Sequence, residues 1–231
     1  MKPDEDLDTI TQLFRVGIKR ADSMFSYITE YPLQLQISSL EILPTKALHD
    51  RLEARLGSYQ SMIAMELNFS GEFQGTSQVI FPTETSKIFI SIIADEERKK
   101  LDAKSYRKDT ISEVGNIFFN GIMGAISTVI DRGITYMMPT YVEGNVQQLL
   151  SSKKSGLYAV SLLGTVQVKV DQKKNEVQEQ LRSFSKIMPQ KYGHLSSEKS
   201  QIIREIIFFF KVNSFKSLVA GARENLGYFE P

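Results

Sequence analysis

The chain has 231 residues, of which 42% are hydrophobic and 24% charged, and its formal net charge is +1. This is the composition of an ordinary globular protein, and it creates no overall field that would recruit nucleic acid or anionic lipid. The absence of cysteine excludes disulfides, thiolate catalysis and cysteine-based zinc sites. The acidic start, MKPDEDLD, lacks the apolar core of a signal peptide, and the longest apolar run, 117–130, is too short to span a bilayer. We therefore expect a cytoplasmic protein with no nucleic-acid partner and no membrane insertion.

The first half of the chain predicts a helix followed by strands. Apolar residues at helical spacing indicate a long helix at about 5–29. Alternating Leu33, Leu35 and Ile37 predict a strand in PLQLQISSLEIL, which a short helix, TKALHDRLEARL, follows. The strands SMIAMELNFS and FQGTSQVIF predict a hairpin that turns at Gly71. The segment PTETSKIFISIIADEE then has the proline and threonine typical of a helix start.

The second half repeats this order of elements. A long helix is predicted at about 103–130, then a strand, GITYMMPTYVE, and a short helix, NVQQLLSS. Two further strands, GLYAVSLLGTVQVKV and IIREIIFFFKV, precede a final helix, NSFKSLVAGARENL. The segment IIREIIFFFKV is too apolar for a sheet edge, so we expect it near the centre of the sheet.

The register of the two halves indicates an internal duplication. Placing Gln12 on Glu113 gives an offset of 101, which also places Ser38 on Pro139. Near the end, IFPTETSKIF aligns with FFKVNSFKSL at an offset of 129. The polar segment 171–200 is about as long as the difference between these two offsets, so an insertion there would explain both. Surface loops tolerate such insertions. Chance similarity of two α+β halves is the alternative.

The duplication predicts the architecture of the whole chain. We expect one domain over 1–231, with pseudo-repeats at about 5–97 and 102–226 and the insertion at about 171–200. The predicted fold class is α+β: a central, largely antiparallel sheet with the two long helices on one face and pseudo-two-fold symmetry.

Three polar residues near the start of the second long helix form a candidate site. Asp109, Glu113 and Asn116 are spaced four and three apart, so their side chains share one face of the helix. Histidine chemistry offers no competing site, because His49 and His194 each lack a second ligand at metal-binding spacing. We therefore expect no metal site and no cofactor of the protein's own.

The same residues also have ordinary structural interpretations. Asp109 could cap a helix, and Glu113 could be exposed surface. A glycine inside a helix costs roughly 1 kcal/mol relative to alanine. Gly115 would let another backbone approach Asn116 closely, or it could mark close helix packing together with Gly121 and Gly124. Spacing alone leaves these alternatives open.

A family resemblance favours the functional interpretation. The segment DTISEVGNIFFNGIMGAISTVIDRGITYMMP resembles the phosphatase motif of the CheC/CheX/FliY family, which dephosphorylates CheY-type response regulators in bacterial chemotaxis. That motif is Asp or Ser, three residues, Glu, two residues, Asn, twenty-two residues and Pro, and Asp109, Glu113, Asn116 and Pro139 fit every interval. The phrase GxxxGxxxxxFP at 71–82 is also similar to the family. The resemblance implies a CheC-like fold with an internal duplication.

The first half departs from the motif. Gln12 stands where the family has Glu, Arg15 where it has Asn, and Ser38 where it has Pro. An arginine has no acceptor with which to orient a water molecule. The resemblance therefore implies one working site, in the second half.

The resemblance also implies a mechanism. The substrate would be the aspartyl phosphate of a receiver that supplies Mg²⁺ and a lysine of its own. Asn116 would orient the attacking water, because an amide accepts and donates hydrogen bonds without titrating. Glu113 would pair with the receiver's lysine. Pro139 would shape the site, and Asp109 would extend the polar surface or cap the helix.

Two other functions are alternatives to the phosphatase. Flagellar switch proteins of the FliM type are similar in fold, lack the Glu-Asn pair and act by docking alone. A scaffold could instead recruit a partner through 171–200. Some CheC-like phosphatases are bound and stimulated by the deamidase CheD, and no residue identifies this chain as one of them.

Overall fold

The structure is a computed structural model, and its helices and strands are described over most of the chain. The described residues are 3–28, 33–57, 61–83, 86, 103–131, 133–151, 158–170 and 201–228. The helices are α1 (Pro3–Ile28), α2 (Thr45–Leu56), α3 (Ala103–Ile130), α4 (Val146–Leu150) and α5 (Val212–Asn225). The strands are β1 (Leu33–Pro44), β2 (Met62–Gly71), β3 (Gly75–Pro82), β4 (Ile134–Tyr136), β5 (Thr140–Gly144), β6 (Val160–Val170) and β7 (Gln201–Phe210).

The described strands form one seven-stranded sheet to which both halves contribute. Its order is β1-β6-β7-β3-β2-β4, with β5 also paired to β2, and every pairing is antiparallel. The α+β class and the antiparallel sheet are therefore confirmed. The order reads the same when the strands of the two halves are exchanged. Pseudo-two-fold symmetry, the repeat boundaries and the insertion stay predictions.

Helices cover both faces of the sheet. The long helices α1 and α3 pack together with α5 on one face, over a core that includes Phe14, Phe118 and Phe208. The short helices α2 and α4 cover the other face, over Leu52 and Phe209. The placement of both long helices on one face is thus confirmed. The chain buries apolar side chains in two layers, with the sheet between them.

Most predicted elements lie where the sequence placed them. The segment IIREIIFFFKV is β7, and it lies inside the sheet between β3 and β6. Phe208 and Phe210 face the core of the long helices, whereas Ile207 and Phe209 face the opposite core. Gly71 ends β2 with φ of +121°, a conformation that residues with a Cβ rarely adopt, so the hairpin turn depends on glycine.

Several predictions concern residues outside the described ranges. The insertion at about 171–200 and His194 are among them. In the segment PTETSKIF, where a helix start was predicted, Pro82 ends β3 and the only other described residues are Thr83 and Ser86. The hydroxyl of Ser86 donates to the Thr83 carbonyl at 2.7 Å.

One predicted strand is wrong in detail. The segment GITYMMPTYVE is not continuous, because β4 ends at Tyr136 and β5 begins at Thr140. Tyr136 pairs with Phe69 and Thr140 with Glu66, so three residues of this segment face two of β2. Pro139 has no N–H to donate to a ladder, which explains why the pairing is interrupted there.

The second long helix meets the length and composition of a membrane span. Its segment Tyr106–Ile130 passes that test, although the apolar run alone is shorter. However, 67% of the most apolar window is buried inside the protein. Its hydropathy is thus explained by its position among α1, α5 and the sheet.

Candidate functional site

Helix α3 is buried on nearly all sides. It contacts α1, α5, β2 and β5, so apolar residues occur around most of its circumference. The buried apolar side chains are those of Ile111, Val114, Ile117, Phe118, Phe119, Ile122, Met123, Ala125, Ile126, Val129 and Ile130. A helix packed in this way holds in place the backbone that carries its remaining exposed side chains.

The exposed line of α3 carries the predicted site residues. Asp109 and Glu113 are exposed, and Asn116 is half-buried. Asn120 is also exposed and lies four residues after Asn116, so it continues the same face. We call Asp109, Glu113, Asn116 and Asn120 the polar stripe. Asn120 was not among the residues predicted from the sequence, although its spacing from Asn116 indicates the same helix face.

The two central side chains of the polar stripe are available to a partner. Among the described residues, none forms a hydrogen bond or ion pair with the carboxylate of Glu113 or the amide of Asn116. Their backbone groups belong to the interior of α3, which spans Ala103–Ile130. The structure therefore presents a carboxylate and an amide outward from a helix whose other sides are packed.

Gly115 brings α3 close to the sheet. A Cβ added there would lie 2.5 Å from Cγ and 2.7 Å from Cβ of Met65 on β2. The hydroxyl of Ser112 also contacts the sulfur of Met65 at 3.9 Å. The expectation that another backbone approaches Asn116 here is wrong, because the close neighbour is a methionine side chain. Gly115 instead holds the turn that bears Asn116 against the sheet.

Asp109 is not a helix cap. Helix α3 begins at Ala103, so Asp109 lies within the helix rather than at its N-terminus. The capping alternative is therefore wrong, and Asp109 belongs to the polar stripe. Its carboxylate and that of Glu113 make the stripe anionic over slightly more than one helical turn.

The other two glycines of α3 differ in their surroundings. A Cβ on Gly121 would lie 2.7 Å from the nitrogen of Ala21 and 2.7 Å from the oxygen of Gly17, both on α1. The interpretation of Gly121 as a close helix contact is thus correct. Gly124 is less crowded, since the nearest atom to its added Cβ is Nη1 of Arg20 at 3.7 Å.

The interruption between β4 and β5 lies beside the polar stripe. Pro139 is half-buried there, and the hydroxyl of Tyr136 donates to Oδ1 of Asn120 at 3.2 Å. Met137 and Met138 are 74% and 88% exposed. The exposure of both methionines was not predicted from the sequence, because a continuous strand would have turned one of them inward.

A tyrosine on β5 has a perturbed titration. The pKa of Tyr141 is raised from 10.0 to about 12, first by burial and then by the charge of Glu143. Its hydroxyl donates to Oε2 of Glu143 at 3.4 Å, which also favours the neutral phenol, whereas Arg107 of α3 lowers the pKa. Tyr141 pairs with Met65, the residue under Gly115, and stays a neutral part of the support of α3 at physiological pH.

The degenerate first-half positions also lie at the surface. Gln12 and Arg15 are exposed on α1, and Ser38 is exposed on β1. The register of β1 shifts between Ile37 and Ser39, which leaves Ser38 as the extra residue. Its hydroxyl donates to the carbonyl of Thr165 at 3.2 Å. Ser38 thus occupies an interruption of the first edge strand as Pro139 does in the second.

A separate cavity lies on the other face of the sheet. It measures about 570 Å³, and its lining includes Leu48, His49, Leu150, Tyr158 and Phe209. Those apolar residues belong to the core of the short helices, so the cavity is remote from the polar stripe. No group of three or more potential metal-ligating side chains occurs in the described part of the chain.

Comparison with known proteins relates this fold to solved structures. No protein-family model matches the chain, and neither does any curated protein. FliY from Thermotoga maritima is 9% identical, with 97% of this chain and 98% of that chain covered and a TM-score of 0.63. The FliM middle domain from H. pylori is 9% identical, with coverages of 94% and 98% and a TM-score of 0.55. The chain has the CheC/CheX/FliY fold.

A second FliM middle domain agrees with that assignment. The domain from Vibrio alginolyticus is 12% identical, covers 94% of this chain and 98% of its own, and has a TM-score of 0.53. At these identities the likeness shows the fold alone. A FliY and two FliM domains share this fold, so the fold by itself does not identify the chemistry of the polar stripe.

Proposed function

We propose that this protein hydrolyses the aspartyl phosphate of a CheY-type response regulator. The observation that carries the proposal is that Glu113 and Asn116 face outward on an otherwise packed helix, with no partner for either side chain among the residues that the structure describes. The CheC/CheX/FliY fold and the fit of Asp109 and Pro139 to that family's motif support it. The substrate also implies a cytoplasmic location, which suits a chain without cysteine.

Asn116 supplies the group that the reaction needs. Its amide oxygen accepts a hydrogen bond from water and aims the water oxygen at phosphorus, in line with the bond that breaks. The P–O bond to the aspartyl oxygen breaks, the aspartate carboxylate leaves with the electron pair, and the proton of the water ends on the phosphate product. Since α3 is packed, the backbone that carries the amide is already in position, and only the side chain of Asn116 has to be ordered in the complex.

The charge of the polar stripe restricts the substrate. Asp109 and Glu113 repel a free phosphoryl anion, so the substrate must bring cations of its own. A receiver with bound Mg²⁺ and a lysine beside its phosphoryl group meets this requirement, as the family resemblance implies. Glu113 pairs with that lysine and sets the position of the receiver on α3.

A binding module without catalysis is the alternative function. The FliM middle domain has the same fold, and one matching structure from H. pylori is a FliG–FliM complex with a TM-score of 0.55. On this alternative the polar stripe would bind a receiver or a flagellar protein without accelerating hydrolysis. The presence of both Glu113 and Asn116 favours the phosphatase.

The test is phosphate release from a panel of phosphorylated CheY-type receivers in the presence of Mg²⁺. We expect wild-type protein to accelerate release, and Asn116→Ala to lose about 100-fold, equivalent to about 2.7 kcal/mol. Arg15→Ala and Gln12→Ala, at the matching exposed positions of α1, are the controls and should retain wild-type rates. Binding of a receiver with no acceleration by the wild type would support the alternative, and an active Asn116→Ala would refute the assignment.

A further inference from the structure

We propose that Tyr136, Met137 and Met138 form an apolar docking surface for the phosphorylated receiver. We call these three residues the methionine platform. The inference rests on the proposed function and extends it, because it assigns binding to residues outside the motif. The polar stripe would act on the phosphoryl group while the platform holds the body of the receiver.

The exposure of the platform is unusual for such side chains. Tyr136, Met137 and Met138 are 40%, 74% and 88% exposed, and they are consecutive. Two of the three are more exposed than every other large hydrophobic residue of the described chain except Tyr27 on α1. Contiguous exposed apolar residues, unlike single ones, commonly mark a site of interaction.

The break between β4 and β5 explains how both methionines reach the surface. Successive residues of a regular strand point to opposite faces of the sheet. Here the three residues between β4 and β5 lie opposite two residues of β2. A backbone hydrogen bond from the nitrogen of Met137 to the carbonyl of Asn68, at 3.4 Å, still joins this segment to β2. Both methionine side chains are therefore exposed to solvent at an edge of the sheet.

The two halves of the fold provide an internal comparison. At an offset of 101, Met137 and Met138 correspond to Gln36 and Ile37 of β1. Gln36 is polar and accepts a hydrogen bond from Nζ of Lys169 at 3.1 Å, and Ile37 is half-buried. The half with the degenerate motif therefore has no matching platform. Among the described residues, two consecutive exposed methionines occur only beside the intact Glu113 and Asn116, whereas the exposed methionine of the first half, Met24, stands without a second one next to it in the chain.

Contact with the polar stripe identifies the occupant. Tyr136 bonds to Asn120, which is one turn from Asn116 on the same face of α3. A protein large enough to bring a phosphoryl group to Asn116 would therefore also lie against the platform. Methionine is unbranched and polarizable, so it adapts to the surface of a partner better than a branched side chain does.

The experiment separates docking from chemistry. Met137→Ser/Met138→Ser is compared with Met24→Ser, whose methionine lies on α1 and is 38% exposed. In phosphate release from a phosphorylated receiver, we expect the double variant to raise KM about 10-fold or more, equivalent to about 1.4 kcal/mol of binding, with kcat near the wild-type value. Asn116→Ala should lower kcat with little change in KM, and Met24→Ser should change neither.

A binding assay tests the platform even without turnover. The beryllofluoride-activated receiver with Mg²⁺ is titrated with wild type and the double variant, and we expect Kd to rise by the same factor as KM. Binding with equal Kd for both proteins would overturn the platform while leaving the proposed hydrolysis intact. Binding that depends on the methionines without hydrolysis would support the platform and refute the phosphatase.

Self-association is the other occupant that the test can reveal. Sedimentation velocity of wild type and of the double variant, each without receiver, is expected to give the same oligomeric state. A wild-type dimer that the double variant converts to a monomer would overturn the proposal, since a second copy would then cover the platform.

Discussion

Tyr136 and Asn120 connect the edge of the sheet to the exposed line of α3. The tyrosine hydroxyl donates to Oδ1 of the asparagine at 3.2 Å, across 16 positions of the chain. This bond joins the methionine platform to the polar stripe. Removing it by Tyr136→Phe should lower the free energy of unfolding by only about 0.5 kcal/mol, because the bond is exposed to water. Urea denaturation measures this, with Tyr27→Phe, 92% exposed on α1, as the control. A loss well above 1.5 kcal/mol would contradict this view of the bond.

Glu113 should contribute to binding through its charge. Glu113→Gln keeps the shape and hydrogen-bonding capacity of the side chain but removes the charge that pairs with the receiver's lysine. A hydrogen bond to a charged group is worth about 1.5–3 kcal/mol, so we expect KM for the phosphorylated receiver to rise by roughly 10- to 100-fold. The rise should shrink as salt is added, because salt weakens the wild-type pair. A fall in kcat at unchanged KM would assign Glu113 to the chemical step instead.

Gly121 and Gly124 should respond to alanine in opposite directions. The added Cβ of Gly121→Ala would lie 2.7 Å from backbone atoms of Gly17 and Ala21, which cannot move without separating α1 from α3. We expect a loss of about 1–3 kcal/mol in the free energy of unfolding. Gly124→Ala meets only the end of Arg20 at 3.7 Å, and it should gain about 0.5–1 kcal/mol from helix propensity. Denaturant unfolding compares the two, and equal effects would contradict the close helix contact.

The raised pKa of Tyr141 predicts a dependence of stability on alkaline pH. The pKa of the phenol is 10.0 in the unfolded state and about 12 in the folded state. Below pH 10 the contribution of the neutral phenol to the free energy of unfolding is therefore fully present. It is lost progressively as the pH rises toward 12, since only the unfolded state then releases this proton. In Tyr141→Phe the free energy of unfolding should fall less between pH 10 and 12 than in the wild type, because the phenylalanine has no proton to release. Chemical denaturation across this range, with Tyr27→Phe for comparison, tests it, and identical pH profiles for wild type and Tyr141→Phe would refute it.

Local patterns in the sequence predicted most of the elements. The helical spacing of apolar residues placed α1 and α3 to within a few residues, and the glycine at 71 located the hairpin. The apolar strand near the end was correctly expected inside the sheet. These predictions succeeded because helical and strand periods, and the backbone freedom of glycine, act within a few neighbouring residues.

Other features depend on contacts between distant parts of the chain. The break at Pro139 requires β2 as a pairing partner, and the role of Gly115 requires Met65 from the same strand. Asn120 has a signal in its spacing, but its bond to Tyr136 does not. The exposure of Met137 and Met138 therefore could not be predicted from sequence motifs.

By itself, the sequence determined which residues of α3 share a face and where the pattern of Glu113, Asn116 and Pro139 occurs, because helical geometry and chain spacing are local. Only the tertiary structure decided that this face is the exposed one. Apolar residues surround most of α3, so the side on which the helix stays open depends on where α1, α5 and the sheet pack against it.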